Sequence, residues 1–389
     1  MIYLDNNATT RPCEGSAAAA REAMERAWAN PSSLHRAGQG ARAIVENSRR
    51  DVAELAGAKP TQVIFTGSCT EAIDLAVRSE VFRWRTRGER PRVACSPVEH
   101  SAVIELLRHL DRAGEVALDL IGVTREGVYD EGEVEARVAD GTRLVCAQSA
   151  NNETGVIQPV DLVARRCDQV GARLLIDAAQ WVGKMPGCAR GINADGALRS
   201  ADYIAFSPHK FHGVKGVGVL VAREPSRLTA RLIGSQESEK RGGTENVPGI
   251  AAAGAACRAA SDWLGDPARA ARCASLRDEF ERAILGDCPF ASVNGPEAAR
   301  RLWNTVNIRF AGVHAEPMLM GLSERGVAAS AGSACSSGSV EPSHILLAMR
   351  LSEGEAMSSV RFSISRETTR DELVQAAGIV VDTARAIRR

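Results

Sequence analysis

The chain has 389 residues, 44% hydrophobic and 25% charged, with zero formal net charge. That is the balance of a globular protein with room for one large or two smaller domains, and it excludes binding to nucleic acid or a membrane surface through bulk charge. No apolar run is long enough to span a bilayer, and the opening "MIYLDNNATT" lacks the basic and apolar regions of a secretory signal, so a cytoplasmic protein without membrane contact is expected.

From about residue 60 to 225, short apolar runs alternate with longer amphipathic stretches. "QVIFTG" leads into "TEAIDLAVRSEVFRW", and "RVACSP" into "EHSAVIELLRHLDRAG". "RLVCAQS" precedes the helical "PVDLVARRCDQVG", and "ARLLIDAAQ", "ADYIAFSP" and "GVGVLVAR" are further strands. Such βα alternation predicts an α/β fold: a mostly parallel sheet with helices on both faces. From about residue 251 the order is mixed. Helices over "AAAGAACRAASDWLG" and "AARCASLRDEFERAILG" precede a strand at "TVNIRFAG". A helix at "HAEPMLMGLSERG", a strand at "VRFSIS" and a final helix from "RDELVQAAG" follow. This predicts a smaller α+β domain. The expected division is a large domain over 15–260, and a small one made of 1–14 and 261–389.

The ten cysteines are irregularly spaced and include no C-x-x-C pair. Neither a zinc site nor a disulfide framework is expected, and thiols such as Cys146 in "RLVCAQ" read as small buried hydrophobes. Cys335 differs, because "SAGSACSSGSVEPSH" surrounds it with small residues and no apolar side chains to bury it. The lysines are only Lys59, Lys184, Lys210, Lys215 and Lys240, so a search for a catalytic amine is short.

Open α/β sheets bind ligands beyond the carboxyl ends of their strands. Five apolar runs end in polar groups: Gly67 to Glu71; Glu99 and His100; Asn151 to Glu153; Asp177 and Gln180; His209 and Lys210. "TGSCTEA" is either an ordinary helix cap or an anion site built from a helix N-terminus and Thr70. Asp177 is either a cap or an anion facing a cationic nitrogen. Lys210 is either a solvated loop residue or an enclosed amine that can act as a nucleophile. His100 reads as a core histidine, an aromatic cover over a flat ligand, or an acid/base group. Together they are the contacts pyridoxal 5'-phosphate requires, an anion site, a carboxylate for the ring nitrogen and a lysine for the aldehyde.

The chain resembles the cysteine desulfurases of the NifS/IscS type, in the aminotransferase class V family with fold type I. The resemblance runs through "YLDNNATT", "NPSSLHRAG", "FTGSCTEA", "VEHSAV", "NNETGVIQP", "DAAQWVGK", "SPHKFHGVKGVG", "RGGTENVPGI", "SAGSACSSGSVEPSH" and "SSVRFSISRETT". It implies that Lys210 carries the cofactor, Asp177 meets the ring nitrogen, Gln180 the ring hydroxyl, and His100 stacks on the ring. Cys69 belongs to the cofactor-binding turn. Thr70, Ser207 and His209 would hold the phosphate, joined by Thr244 from the other subunit of a homodimer. Asn152 and Arg361 would bind the carboxylate of L-cysteine, and Lys210 and His100 would move protons. Cys335 would attack the substrate sulfur, keep it as a persulfide and release L-alanine. A protein acceptor would take the sulfur for iron–sulfur cluster assembly, thiolation or phosphorothioation. A selenocysteine lyase, another class V enzyme and a non-catalytic paralogue are the alternatives. The chain departs from the family's usual motifs at Pro208, at Val214, in "TGSCTE" and in "IGSQESEKRGGT".

Overall fold

A computed structural model describes residues 1–186, 201–296, 300–332 and 341–388. A seven-stranded sheet lies in the order Val63–Thr66, Gly218–Ala222, Tyr203–Phe206, Arg173–Asp177, Thr142–Gln148, Arg92–Cys95, Ala117–Leu120. Only Gly218–Ala222 runs antiparallel to its neighbours. The other six strands therefore end on one edge of the sheet, as the βα alternation predicts.

Alternation within the strands explains the two covered faces. Leu144, Cys146, Leu175, Tyr203 and Leu220 join one hydrophobic core, with the helices Cys69–Arg85 and Ser101–Arg112. Their neighbours Val145, Ala147, Leu174, Ile204 and Val219 join another on the opposite face. Successive side chains of a strand point to opposite faces, so a run that is apolar throughout must be covered twice. The strand Ala117–Leu120 was not legible as one. It forms the sheet's edge, and its residues are only half-buried or exposed.

A third core gathers the antiparallel sheet of Ser359–Ser363, Thr305–Phe310 and Ala291–Val293 with the helices Pro267–Asp287 and Arg370–Arg388. Ile2 and Leu4 pack into it from the other end of the chain. Along the helix Val247–Leu264, Ala260 still belongs to the sheet-face core, whereas Trp263 packs against the third. The helix His344–Ala348 returns to the large sheet, where Ile345 and Leu346 are buried in the sheet-face core. No helix among the described residues is long and apolar enough to cross a membrane.

Gly218 opens the antiparallel strand directly beneath the turn that follows Thr66. A Cβ there would lie 2.1 Å from the carbonyl carbon and oxygen of Ser68. Backbone on backbone cannot yield as a side-chain tip does, so the strand must start with glycine for the turn to keep its place. Gly218→Ala is expected to cost about 1–3 kcal/mol, the usual range for forced overpacking. Urea denaturation of the purified variant measures it, and an unchanged midpoint contradicts the close approach.

Candidate active site

The ends of five of the six co-directional strands, all but the edge strand Ala117–Leu120, surround a cavity of about 220 Å³. At one end is the helix Cys69–Arg85, whose Ser68 hydroxyl accepts the N–H of Glu71 at 3.1 Å. Cys69 and Thr70 line the cavity there, so the helix's first turn faces it. Asp177, only 7% exposed, ends its strand, and its Oδ1 accepts the N–H of Ala179 at 3.0 Å. His100 caps the helix Ser101–Arg112, its Nδ1 accepting the N–H of Ala102 at 3.1 Å. Lys210 ends the single 3-10 turn Pro208–Lys210, in which Pro208 takes the first position, where a missing N–H costs nothing. Asn152, Gln180 and His209 complete the polar lining.

The amino-terminal segment is laid across this cavity. Lys210 Nζ donates to the carbonyl oxygens of Asn7 at 2.7 Å and Ala8 at 2.9 Å, and Gln180 Nε2 donates to the same Asn7 oxygen at 3.0 Å. The Asn7 side chain donates to the carbonyl oxygen of Asn152 and to Thr305 Oγ1. Further along, Thr10 N–H and Oγ1 both donate to the carbonyl oxygen of His209, each at 2.9 Å, and His212 N–H donates to Thr10 Oγ1. His212 holds φ 73°, a left-handed conformation unusual for a residue with a side chain, and this bonding fixes it. Arg361, 3% exposed, donates to Asp5 Oδ1 at 2.6 Å and to the Asn152 carbonyl oxygen at 3.1 Å.

This is the same set of strand ends, carrying the same residue types, that the family motifs specify. The aminotransferase class-V family model matches residues 2–375. Cysteine desulfurase 2 of Trichormus variabilis is 38% identical over all of this chain and 94% of its own length. The chain belongs to the aminotransferase class V family, among its cysteine desulfurases. Of solved structures, a NifS-like protein superposes with TM-score 0.88 at 29% identity over 98% of both chains. The structure of SspA in complex with cysteine superposes with TM-score 0.80 at 27% identity, over 95% of this chain and all of that one.

The structure thus brings Cys69, Thr70, His100, Asn152, Asp177, Gln180, His209 and Lys210 to one cavity. Ser207 is not among its lining residues; it is buried, and its hydroxyl donates to the carbonyl oxygen of Val217. Arg361 reaches the cavity through Asn152 and does not line it. Thr244 lines a separate cavity of about 180 Å³ beside Gly67 and Arg241. Cys335 lies outside the described residues, and so does the expectation that its loop is the most mobile part of the site. Asp5, Asn7, Glu99 and Lys184 were given no role from sequence, although "YLDNNATT", "VEHSAV" and "DAAQWVGK" contain them. Only Glu99 had a signal of its own, as the neighbour of His100 at a strand end.

Burial and crowding set the charges. Burial, then the Arg361 guanidinium, pushes the Lys210 amine below the usual lysine range, with Cys69, Asp177 and Asp5 opposing. Burial pushes the His100 imidazole down. Burial pushes the Glu99 carboxyl up to about 8, while the Tyr129 hydroxyl donates to it. Burial, then the lysines Lys210, Lys215 and Lys184, pushes His209 down to about 4. His209 is therefore neutral at pH 7 and can accept as well as donate. In the unfolded chain it takes its proton near pH 6.5. The unfolded state therefore binds more protons between those values, and His209 costs stability as pH falls from about 6.5 toward 4. Imidazole NMR of the cofactor-free protein should show the His209 midpoint near pH 4. A midpoint in the ordinary histidine range contradicts this electrostatic description.

Proposed function

We propose that this chain is a pyridoxal-phosphate-dependent cysteine desulfurase that moves the sulfur of L-cysteine onto Cys335. The observation that carries the reading is the convergence of Lys210, Asp177, His100 and a helix N-terminus on one cavity in a chain of this family.

The residues present suit the cofactor. The cavity offers a half-buried amine, a carboxylate at the end of the neighbouring strand, an imidazole and a helix N-terminus. The Asn152 side-chain oxygen is buried with no hydrogen-bond partner among the described residues, as expected of a group that waits for a ligand. Asp177 would hold the ring nitrogen protonated, Gln180 would donate to the ring hydroxyl, and His100 would cover a ring face. The first-turn N–H groups at Cys69 and Thr70, with His209, would hold the phosphate, and Ser207 would support that end of the site. Thr244 of a second copy would complete it. Its place in a separate cavity of its own chain suits a homodimer with shared sites. When bound, the cofactor supplies an aldehyde for amine condensation and a ring that accepts electrons.

Lys210 would remove and return the substrate's α-proton. Its lowered affinity for protons leaves more of the amine neutral at physiological pH, as a base requires. Arg361 and Asn152 would hold the substrate carboxylate, which competes with Asp5 for the guanidinium. The neutral His100 would pass protons to and from the sulfur. The Cys335 thiolate attacks that sulfur: the S–S bond forms as the Cβ–S bond breaks, and the electron pair stays with the carbon fragment until it is protonated. L-Cysteine and the enzyme thiol become L-alanine and the enzyme persulfide, with no external oxidant or reductant. The outer sulfur then passes to a protein acceptor for iron–sulfur cluster assembly or thiolation, in the cytoplasm.

The test is alanine and sulfide release from L-cysteine by the cofactor-loaded enzyme. Lys210→Ala should lose both by a factor of at least about 10², the lower end of general acid–base contributions. Cys335→Ser should lose both equally, while L-cysteine still perturbs the visible absorbance of the bound cofactor. Alanine formation at the full rate by Cys335→Ser rules out the persulfide route.

A further inference from the structure

Lys184 is a second buried amine beside Lys210, and the reaction described above does not use it. It is 4% exposed, and no ion pair among the described residues includes it. Its Nζ donates to Gln180 Oε1 at 2.6 Å and to Asn7 Oδ1 at 3.1 Å. Both partners are neutral carbonyl oxygens, and the charged groups that act on it, Lys210 and Arg361, are both cations. Burial and these cations drive its proton affinity well below the usual lysine range. A neutral amine has two N–H donors, which equals the number of acceptors it meets. A buried ammonium would have a third donor and an uncompensated charge.

The position is built. Gly183 holds φ 75°, and a Cβ there would lie 2.4 Å from the Phe211 ring. The carbonyl oxygen of Lys184 accepts from Trp303 Nε1 at 2.8 Å. What the amine does is fix an amide. With Oε1 of Gln180 engaged by Lys184, its Nε2 must face the other way, toward the Asn7 carbonyl and the cavity. The reversed amide would set an oxygen against the Asn7 oxygen and an NH₂ against the amine.

We propose that Lys184 is a positioning residue for the cofactor: by donating to Gln180 and Asn7 it holds the Gln180 amide with its N–H toward the ring hydroxyl. The proposal rests on the pyridoxal-phosphate reading of the same cavity. Lys184 acts on the ligand only through Gln180 and Asn7.

The experiment is a double-mutant cycle on pyridoxal phosphate affinity, measured by titrating the cofactor-free protein. Lys184→Met and Gln180→Ala should each weaken binding by roughly tenfold, the worth of one hydrogen bond of about 1.4 kcal/mol. The double variant should bind no more weakly than the worse single variant, because one residue works through the other. Lys184→Gln, which restores an N–H donor, should recover much of the loss. Penalties that multiply, or wild-type affinity in Lys184→Met, overturn the proposal. Side-chain ¹⁵N NMR of the lysine-labelled cofactor-free wild type covers the case in which Lys184→Met does not fold. Lys184 Nζ protons protected from solvent exchange support the proposal, and freely exchanging ones overturn it. If the wild type itself takes up no pyridoxal phosphate, the functional reading fails. If it binds and turns over L-cysteine while the cycle is additive, only the role of Lys184 fails.

Discussion

The carbonyl oxygen of Asn7 accepts hydrogen bonds from Lys210 and Gln180, and the cavity is arranged around that one acceptor. Its side chain extends the same node. Oδ1 accepts from Lys184 and Asn304, and Nδ2 donates to the Asn152 carbonyl and to Thr305. A single residue near the amino terminus thus ties three strand ends of the large sheet to the antiparallel sheet of the third core. Buried polar groups are tolerated when every donor and acceptor is used. Asn7 meets that condition by joining elements far apart in sequence, so displacing it would leave several groups unpaired at once.

Charge balance points to the kind of ligand the cavity holds. Lys210 and Arg361 bring an amine and a guanidinium close together, and Arg361 adds to burial in lowering the proton affinity of Lys210. Against them stand Asp177 and Asp5, with Asp5 engaged by Arg361. Enclosed cations without matching anions are costly. A ligand with phosphate and carboxylate groups offsets that cost when it binds. Burial, with neighbouring lysines second, keeps His209 neutral. Neutral histidines can accept protons, which a proton relay needs.

The sheet was legible because burial on both faces leaves a simple trace, four or five apolar residues followed by small and polar ones. The strand ends were legible for the same reason, and the five constellations predicted from them do meet. What escaped has a common physical cause. Ala117–Leu120 has mixed burial and so no clean period. Asn7, and Lys184 through its bond to Asn7, act between segments far apart in sequence, which no local pattern encodes. Ser207 sits at the expected strand end, yet a backbone carbonyl within reach engages its hydroxyl, and residue type alone does not reveal that competition.

The described ends of the segment that carries Cys335 are tied to Arg361 and to the residue after Asn152. Ser330 pairs with Arg361 through both backbone bonds, Arg361 N–H to the Ser330 carbonyl at 2.7 Å and Ser330 N–H to the Arg361 carbonyl at 3.2 Å. Gly332, at φ 96°, lies so close to Glu153 that a Cβ would fall 2.4 Å from its Oε2. On the return side, the Ser343 hydroxyl donates to that same oxygen at 2.6 Å while capping the helix His344–Ala348. Glu153 is fully enclosed, which pushes its carboxyl up, and it follows Asn152 directly. The chain therefore leaves and re-enters against one carboxyl group, one residue from a proposed substrate contact. Arg361 is bonded through its backbone to the departing strand and through its guanidinium to Asn152. Arg361 and the anchors of the thiol segment cannot shift independently, so a substrate held by Arg361, as proposed, would be presented in a frame fixed relative to both described ends of the segment that carries Cys335.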